Sequence, residues 1–368
     1  MARTGLPLYV GGVIKPVLLG PNQPRQFYQG GSAVAELRGT EVGDGFRPED
    51  WVASATPRFG MSEDGLSRLP DGQYLRDALE SDPERWLGPD HVAYFGSSPG
   101  LLVKLLDAGQ RLPVHVHPDR SFAYRHLGSR HGKTEAWVVL GTEGADPELF
   151  LGWSRDVEAG ELSRWVADQE CGTMLANMHK LDVRPGDAVL VPAGTAHAIG
   201  QGVFVLELQE PTDFSIMLEL EGFDLDPGGG ELGLGRDLAL SCVRQKAFSS
   251  ADLDNLRRHG QTGKAAAGDS GGVEQVLPDL ANPYFRAERA HVPDERHEVV
   301  LGPSFAVVLV VSGRGTLTGE GWEVAVKRGD TLVVPWGAGA TKAVGQLELL
   351  RCLPPLPADA RKDDPTAG

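Results

Sequence analysis

The sequence predicts a mainly β protein with two antiparallel barrels and helical insertions, and three observations support this. The first is composition, because 48 glycines and 26 prolines among 368 residues favour turns and short elements over a helix bundle. The second is a series of short apolar or alternating runs bounded by such turns. The third is an internal repeat: residues 184–194 (RPGDAVLVPAG) match 327–337 (KRGDTLVVPWG), and WVVLGT at 137–142 resembles LVVSGR at 309–314. Two similar copies of strands joined by tight turns predict two barrels.

The N-terminal part of the chain is predicted to form short strands and short helices. Short strands are predicted at 8–10, 13–14 and 33–37. Apolar residues at helical spacing predict one or two amphipathic helices within about 72–88. The next apolar and alternating runs predict strands, at 101–106, 114–117 and 136–140.

A second helical insertion is predicted at 156–178, where apolar residues recur at helical spacing and Met178 is the last of them. Further apolar runs predict strands after it, at 180–183, 188–191, 203–209 and 214–220. The turn between the first two of these strands carries Gly186 and Asp187, which belong to the repeated motif.

Two glycine-rich stretches, 222–235 and 260–272, divide the chain. Residues 1–221 are predicted to form a metal-binding domain with both helical insertions. Residues 222–273 are predicted to form a linker with a helical segment near 236–258. The second barrel is predicted at 274–356, and a frayed tail at 357–368.

Charge and segment patterns exclude several classes of function. With 35 Lys and Arg against 51 Asp and Glu, the formal net charge is −16, so no nucleic-acid partner is predicted. No run approaches 18 apolar residues, so no membrane partner is predicted. The three cysteines have no CxxC spacing and the N-terminus lacks a signal-peptide pattern, which predicts a cytoplasmic location. The predicted partner is a small molecule, and no oligomeric state is predicted.

Four residues of the first repeat copy have the chemistry of metal ligands. His115 and His117 are two residues apart in a predicted strand, so both imidazoles point to one face. Glu135 opens the next strand, and His197 follows the turn that contains Gly194. Three imidazoles and a carboxylate can bind a divalent transition metal with a position left for water or substrate.

The second repeat copy lacks these ligands. Ala340 aligns with His197 and Val307 with Glu135, and no His-x-His pair occurs there. The second barrel is therefore predicted to have a structural role.

The motifs together resemble a known family. The spacing from Gly186 to His197 matches the second signature motif of the cupins, which are jelly-roll barrels. LPVHVHPD, GKTEAW and RPGDAVLVPAGTAHAIG resemble, in order, segments of the type I phosphomannose isomerases, zinc-dependent cupins that interconvert mannose 6-phosphate and fructose 6-phosphate. The resemblance implies zinc ligation by His117, Glu135 and His197, and by His115, where the family usually has a glutamine ligand.

The resemblance also implies catalytic and substrate-binding residues. The family reaction moves a proton between C1 and C2 through a cis-enediol. Glu207 matches a pocket acid of the family, Lys133 and Lys104 match two of its lysines, and Asp213 fits its pattern. Trp51 lines up with a family tryptophan near the pocket. The predicted catalytic residues are Glu207, Lys133 and Asp213, and the predicted substrate-binding residues are Lys104, Trp51 and Arg125.

Two family positions differ in this chain. A family arginine falls on Met217, and a family Ser or Thr falls on Pro113. A thioether does not bind an anion, so another cation is needed for a phosphorylated substrate. The candidates lie in or near the basic segment 120–133, and they are Arg111, Arg125, Arg130 and Lys133.

Three functions therefore remain open. The first is a metal-dependent isomerase of mannose 6-phosphate. The second is an isomerase or epimerase of an unphosphorylated or differently modified sugar, which Met217 and Pro113 favour. The third is a non-catalytic, metal-stabilised sugar-binding protein, which the presence of Lys133 and Glu207 disfavours, because a binder needs no proton-transfer group.

Overall fold

The computed structural model of the protein describes residues 9–10, 13–144, 147–225, 230–260, 271–361 and 364. The start of the predicted strand 8–10, the centres of the glycine-rich stretches 222–235 and 260–272, and most of the predicted tail 357–368 lie outside these ranges.

The described residues form the following helices and strands. The helices are α1 Ala33–Arg38, α2 Leu75–Ser81, α3 Pro83–Leu87, α4 Pro89–Phe95, α5 Arg120–His126, α6 Ala159–Ala167, α7 Cys171–Ala176, α8 Arg236–Leu240, α9 Ser250–Leu256 and α10 Pro357–Ala360. The strands are β1 Tyr9–Val10, β2 Val13–Ile14, β3 Val17–Leu19, β4 Glu49–Val52, β5 Leu102–Asp107, β6 His115–Val116, β7 Glu135–Thr142, β8 Glu148–Trp153, β9 Met178–Asp182, β10 Ala188–Val191, β11 His197–Ile199, β12 Val203–Gln209, β13 Ile216–Met217, β14 Arg257–Arg258, β15 Gly272–Gln275, β16 Arg286–Val292, β17 Glu298–Leu301, β18 Ala306–Gly319, β19 Trp322–Lys327, β20 Thr331–Val334 and β21 Thr341–Leu353. Short 3-10 turns lie at Asp279–Ala281 and Trp336–Ala338.

Three antiparallel sheets contain most of the strands. A six-stranded sheet has the order β14-β10-β7-β12-β5-β4, and a five-stranded sheet has the order β13-β6-β11-β8-β9. An eight-stranded sheet has the order β15-β16-β21-β18-β20-β3, with β17 paired to β21 and β19 paired to β18. The protein is therefore mainly β, as the sequence predicts.

Alternation along the strands places polar residues in one row across the six-stranded sheet. Glu207 of β12 lies opposite Trp137 of β7 and Lys104 of β5, and Lys104 lies opposite Trp51 of β4. Side chains opposite each other in antiparallel strands point to the same face. Glu207, Lys104 and Trp51 therefore share one face.

The repeated turn has the same geometry in both copies. Gly186 and Gly329 have φ of 96° and 86°, a region that favours glycine. The Gly186 amide donates to the Val139 carbonyl at 2.8 Å, and the Gly329 amide donates to the Val310 carbonyl at 2.9 Å. With Gly186 aligned to Gly329, Val191 is aligned to Val334. Glu135 pairs with Val191 and Ala306 pairs with Val334, so the strand registers make Ala306 the equivalent of Glu135. The sequence alignment of Glu135 with Val307 was off by one residue.

The first residues of β18, at the centre of the eight-stranded sheet, are buried on both faces. Val307 and Leu309 of β18 belong to a core shared with the six-stranded sheet, whereas Val308 and Val310 belong to a second core on the opposite face. Such alternation is expected when both faces of a strand are covered. Part of the second repeat copy thus packs directly against the first.

Three expectations about elements were wrong. Residues 33–37 form helix α1 rather than a strand, because the Asp107 carboxylate accepts the Ala33 amide hydrogen at 2.7 Å at the helix start. Of the predicted strand 214–220, only Ile216–Met217 forms a strand, β13. Met178 starts β9 instead of ending the second helical insertion.

The expected helical insertions do form. Helices α2 and α3 lie within 72–88, α6 and α7 lie within 156–178, and α8 and α9 lie within 236–258. Across the described ranges, no helix combines the length and apolarity needed to cross a membrane.

Candidate active site

Residues of the six-stranded and five-stranded sheets line an open cavity of about 220 Å³. Its ionisable lining residues are Tyr28, Glu49, Arg58, Lys104, His115, Lys133, Glu135, Glu207 and Asp213. Pro113, Trp137, Ser215 and Met217 also line it. Most sequence-predicted site residues therefore meet in or beside this cavity.

Three histidines meet below the cavity. His115 of β6 lies opposite His197 of β11, and His117 follows β6. The ring nitrogens that they offer all lie within 4.8 Å of one another, and all three side chains are buried. Burial lowers the pKa of His115 well below its usual value and that of His117 to about 3, so both imidazoles are neutral.

Backbone carbonyls orient the three imidazole rings. The Nδ1 atoms of His115, His117 and His197 each lie 2.8 Å from a carbonyl oxygen, those of Pro113, Phe214 and Thr195 respectively. Because a carbonyl only accepts, each Nδ1 carries the hydrogen and each Nε2 presents a lone pair. Metal-ligating histidines are typically held in this way.

The Glu135 carboxylate completes a cluster of four donors. Its Oε2 lies 3.0 Å from His117 Nε2, and its Oε1 lies 3.2 Å from His197 Nε2. Burial raises the pKa of Glu135, but the Lys133 charge and the neighbouring histidines lower it well below its usual value. His115, His117, Glu135 and His197 are called the ligand cluster below.

The ligand cluster has the donor chemistry to hold a cation. His197 Nε2 is buried and has no hydrogen-bond partner among the residues the structure describes, although a carboxylate oxygen lies beside it. Two acceptors without a shared hydrogen repel each other unless a cation lies between them. Ligand bonds of about 2.0–2.1 Å in tetrahedral geometry place ligand atoms about 3.3 Å apart, and the two contacts of Glu135 with His117 and His197 are close to this value.

Lys133 contacts the ligand cluster directly. Its Nζ donates to His117 Nε2 at 2.8 Å and to Glu135 Oε2 at 3.0 Å. The amine therefore lies at the boundary between the ligand cluster and the cavity, where it can contact a bound oxygen.

Glu207 lies on the wall beside the ligand cluster. Burial and the Glu135 charge raise its pKa to about 7, although the Lys104 charge opposes this. Its Oε1 lies 3.6 Å from Lys104 Nζ and has no hydrogen-bond partner in the described part of the chain. A carboxyl group that lines a cavity and has a pKa near neutral suits proton transfer.

A buried carboxylate behind Glu207 orients Lys104. Glu49 Oε2 lies 3.3 Å from Lys104 Nζ and accepts the Trp51 Nε1 hydrogen at 2.6 Å, and Glu49 Oε1 accepts from the Tyr28 hydroxyl at 2.6 Å. Burial lowers the pKa of Lys104, but the charges of Glu49 and Glu207 outweigh it and raise that pKa above its usual value. Lys104 is therefore a fixed cation.

Trp51 supports the site from behind rather than lining the cavity. It is fully buried, and Lys104 Nζ lies 4.5 Å from the centre of its ring. Trp51 is outside the set of lining residues. The sequence-based assignment of Trp51 to substrate contact is replaced by a positioning role towards Lys104.

Asp213 joins the cavity to a loop on its rim. Its carboxylate accepts the Phe59 amide hydrogen at 3.0 Å, and the Phe59 ring packs edge-on against Phe214 with centres 5.7 Å apart. Burial raises the pKa of Asp213. Residues 58–64 are called the Arg58 loop below.

Three arginines proposed from the sequence as anion-binding groups lie outside the cavity lining. Arg125 is exposed on α5 and donates to the Ser121 carbonyl. Arg111 forms two bonds to Glu219, and Arg130 pairs with Asp364. The structure therefore does not place Arg125 at the cavity, whereas Lys133, at the end of the same basic segment, lines it.

Sequence reasoning missed Tyr28, Glu49 and Arg58 as lining residues. Glu49 carried a signal, because it lies two residues before Trp51 and therefore on the same face of β4. Arg58 carried none, because only the contact of the Arg58 loop with Asp213 brings it to the cavity.

Comparison with known proteins identifies the family. Residues 279–354 match the model of the mannose-6-phosphate isomerase cupin domain. The mannose-6-phosphate isomerase of Streptococcus mutans serotype c is 28% identical over 326 residues, which cover 87% of this chain and 93% of that protein. The probable mannose-6-phosphate isomerase GmuF of Bacillus subtilis (strain 168) is 32% identical over 328 residues, which cover 87% and 94%.

A solved structure shares the fold. The crystal structure of the mannose 6-phosphate isomerase from Bacillus subtilis superposes with a TM-score of 0.70 at 23% sequence identity, and the match covers 92% of this chain and 99% of that one. Sequence similarity along most of the chain and the shared fold agree: the chain belongs to the mannose-6-phosphate isomerase family.

Proposed function

We propose that the protein is a metal-dependent aldose–ketose isomerase that interconverts mannose 6-phosphate and fructose 6-phosphate. The observation that carries the proposal is the ligand cluster, whose lone pairs converge beside a cavity that also presents Glu207. Membership of the mannose-6-phosphate isomerase family supports the same reaction.

We propose zinc as the metal, held by the ligand cluster. Three imidazole nitrogens and one carboxylate oxygen form a donor set that suits zinc. When bound there, zinc would polarise the substrate carbonyl and stabilise the negative charge that develops on oxygen.

Glu207 is the proposed proton-transfer group. Glu207 lines the cavity, so its carboxylate is placed to take a proton from one carbon of the sugar and return it to the neighbouring carbon. Lys104 stabilises the ionised form of Glu207 from 3.6 Å. Lys133 is proposed to hold a substrate oxygen beside the ligand cluster, and Asp213 to hold the Arg58 loop and contact a sugar hydroxyl.

Two finer proposals concern organisation and location. We propose that residues 1–221 form the catalytic domain, 222–273 a connecting segment, 274–356 a second barrel with a structural role, and 357–368 a tail. We also propose a cytoplasmic location, which three free thiols support.

The test is an isomerisation assay on zinc-loaded protein with mannose 6-phosphate, fructose 6-phosphate and free mannose. We expect the two phosphosugars to interconvert, with activity lost on chelation and restored by zinc. His197→Ala should remove bound zinc, measured by elemental analysis, and lower kcat/KM more than about 100-fold. His291→Ala is the matched control, because His291 lies on β16 outside the ligand cluster, and it should change neither quantity.

Other outcomes would support the alternatives. Conversion of free mannose with no conversion of either phosphosugar would indicate an unphosphorylated substrate. Zinc binding without exchange of sugar protons with solvent would indicate a binding protein.

A further inference from the structure

Three cationic side chains in the described part of the chain line the cavity, and two of them already have buried partners. Among the described residues that line it, Arg58, Lys104 and Lys133 carry positive charge. Lys104 is paired with Glu49 and Glu207, and Lys133 contacts the ligand cluster. An anion brought to either lysine would also approach a buried carboxylate, which is costly.

Arg58 has a different environment. Its Nη1 donates to Asp64 Oδ2 at 3.1 Å, and the two side chains are 26% and 45% exposed. Exposed ion pairs of this kind contribute little free energy, so the guanidinium can exchange Asp64 for another anion. The planar fork of an arginine matches the oxygens of a phosphate group.

The Arg58 loop is fixed on the wall that carries the ligand cluster. The Phe59 amide and ring contact Asp213 and Phe214, and Phe214 supplies the carbonyl that orients His117. The Arg58 amide also donates to the Asp64 carbonyl at 2.8 Å, which closes the loop. Arg58 is therefore held at the edge of the cavity by contacts of its loop with Asp213 and Phe214, and Phe214 also orients His117 of the ligand cluster.

A hexose 6-phosphate needs separate groups in the cavity for its reacting carbons and for its phosphate. The reacting atoms, C1 and C2, belong beside the ligand cluster, and the phosphate is carried by the carbon at the far end of the sugar. We propose that Arg58 binds the phosphate group of the substrate and gives the enzyme its preference for phosphorylated over free sugars. This inference rests on the proposed function and deepens it.

The first measurement compares zinc-loaded wild-type protein with Arg58→Ala. The KM for mannose 6-phosphate should rise roughly ten- to a hundredfold, because a charge-assisted hydrogen bond is lost, while kcat stays within about threefold. The inhibition constant of inorganic phosphate should rise in parallel. Arg58→Lys should give intermediate values, because it keeps the charge and loses the fork.

Asp64→Asn separates phosphate binding from a structural role. If Arg58 binds phosphate, Asp64→Asn frees it from its partner, and the KM should stay the same or fall. If the ion pair only supports the loop, the KM should rise in both Arg58→Ala and Asp64→Asn. Arg25→Ala is the control for net charge, because Arg25 pairs with Asp44 away from the cavity lining. An unchanged KM and inhibition constant in Arg58→Ala, or equal effects of Arg58→Ala and Asp64→Asn, would overturn the proposal.

Calorimetric titration with mannose 6-phosphate and inorganic phosphate distinguishes this proposal from the proposed function. Binding that depends on Arg58 without turnover by wild-type protein would support Arg58 and overturn the isomerase. If the wild-type protein turns over the substrate but Arg58→Ala does not change the affinity for mannose 6-phosphate or phosphate, the isomerase proposal is supported and the role of Arg58 is overturned.

Discussion

At the scale of single residues, the buried carboxyl of Glu207 is the proposed proton-transfer group, and its ionisation lowers the stability of the folded protein. Its pKa in the folded protein is about 7, above the usual value of a glutamate, because burial and Glu135 disfavour its charge. The folded state therefore holds a proton that the unfolded state has already released. Between the ordinary glutamate pKa and about 7, stability falls as pH rises, and the loss is complete above that range.

Glu207→Gln should therefore be inactive and more stable. We expect kcat/KM of the wild-type protein to fall as pH drops through the pKa of Glu207, because the base becomes protonated. At pH 8, Glu207→Gln should raise the free energy of unfolding by on the order of 1–3 kcal/mol, because the buried charge is removed. Urea unfolding at pH 8 and pH 4 checks this, and the gain should vanish at pH 4. A variant that is active, or equally stabilised at both pH values, contradicts the assignment.

The residues of the ligand cluster are predictable from sequence because they are held by local rules. His115 and His117 alternate in one strand, and His197 follows a turn whose glycines are fixed by backbone geometry. Arg58 is not predictable in this way. Its place depends on the contact of the Arg58 loop with Asp213, which only the folded chain creates.

At the scale of elements, helix α1 forms although the alternating sequence of residues 33–37 predicts a strand, because contacts with distant residues stabilise the helix. Its short alternating sequence suits a strand, but the Asp107 carboxylate accepts the Ala33 amide hydrogen from 74 positions along the chain. Val34, Ala35 and Leu37 are then buried, which stabilises the helix. No local signal in the sequence marks this capping.

Asp107→Ala should destabilise the protein by about 1–3 kcal/mol, because the helix start loses its acceptor. Asp107→Asn is the matched control, since its side-chain oxygen can still accept the Ala33 hydrogen. Urea unfolding of the two variants measures the difference. If both variants lose the same stability, the carboxylate charge rather than the cap is responsible.

At the scale of the whole molecule, Arg38 joins the two repeat copies. Its Nε donates to Asp50 at 2.7 Å, beside Trp51 in β4, and its Nη1 donates to Thr331 Oγ1 at 2.6 Å in β20. Gly329 is required at this junction, because a Cβ there would lie 1.8 Å from the Leu37 carbonyl oxygen. The turn of the second copy thus supports the wall of the site in the first.

Arg38→Met should destabilise the protein by about 3–5 kcal/mol, because it leaves the fully buried Asp50 without its ion pair. The double variant Arg38→Met with Asp50→Asn should lose less, since the unpaired charge is also removed. Chemical unfolding of both variants checks this order. A double variant that is less stable than Arg38→Met would show that the two residues do not act as a pair.

The carbonyl contacts of the three histidines also bear on how this site withstands sequence divergence. Every residue has a carbonyl group, so the acceptors at positions 113, 195 and 214 persist whichever side chains those positions carry. Pro113, which replaces a family Ser or Thr, still presents the oxygen that orients His115. The main chain therefore preserves the orientation of the three rings when neighbouring side chains are substituted. Substitutions around the cavity can then change substrate preference while the ligand cluster keeps its geometry.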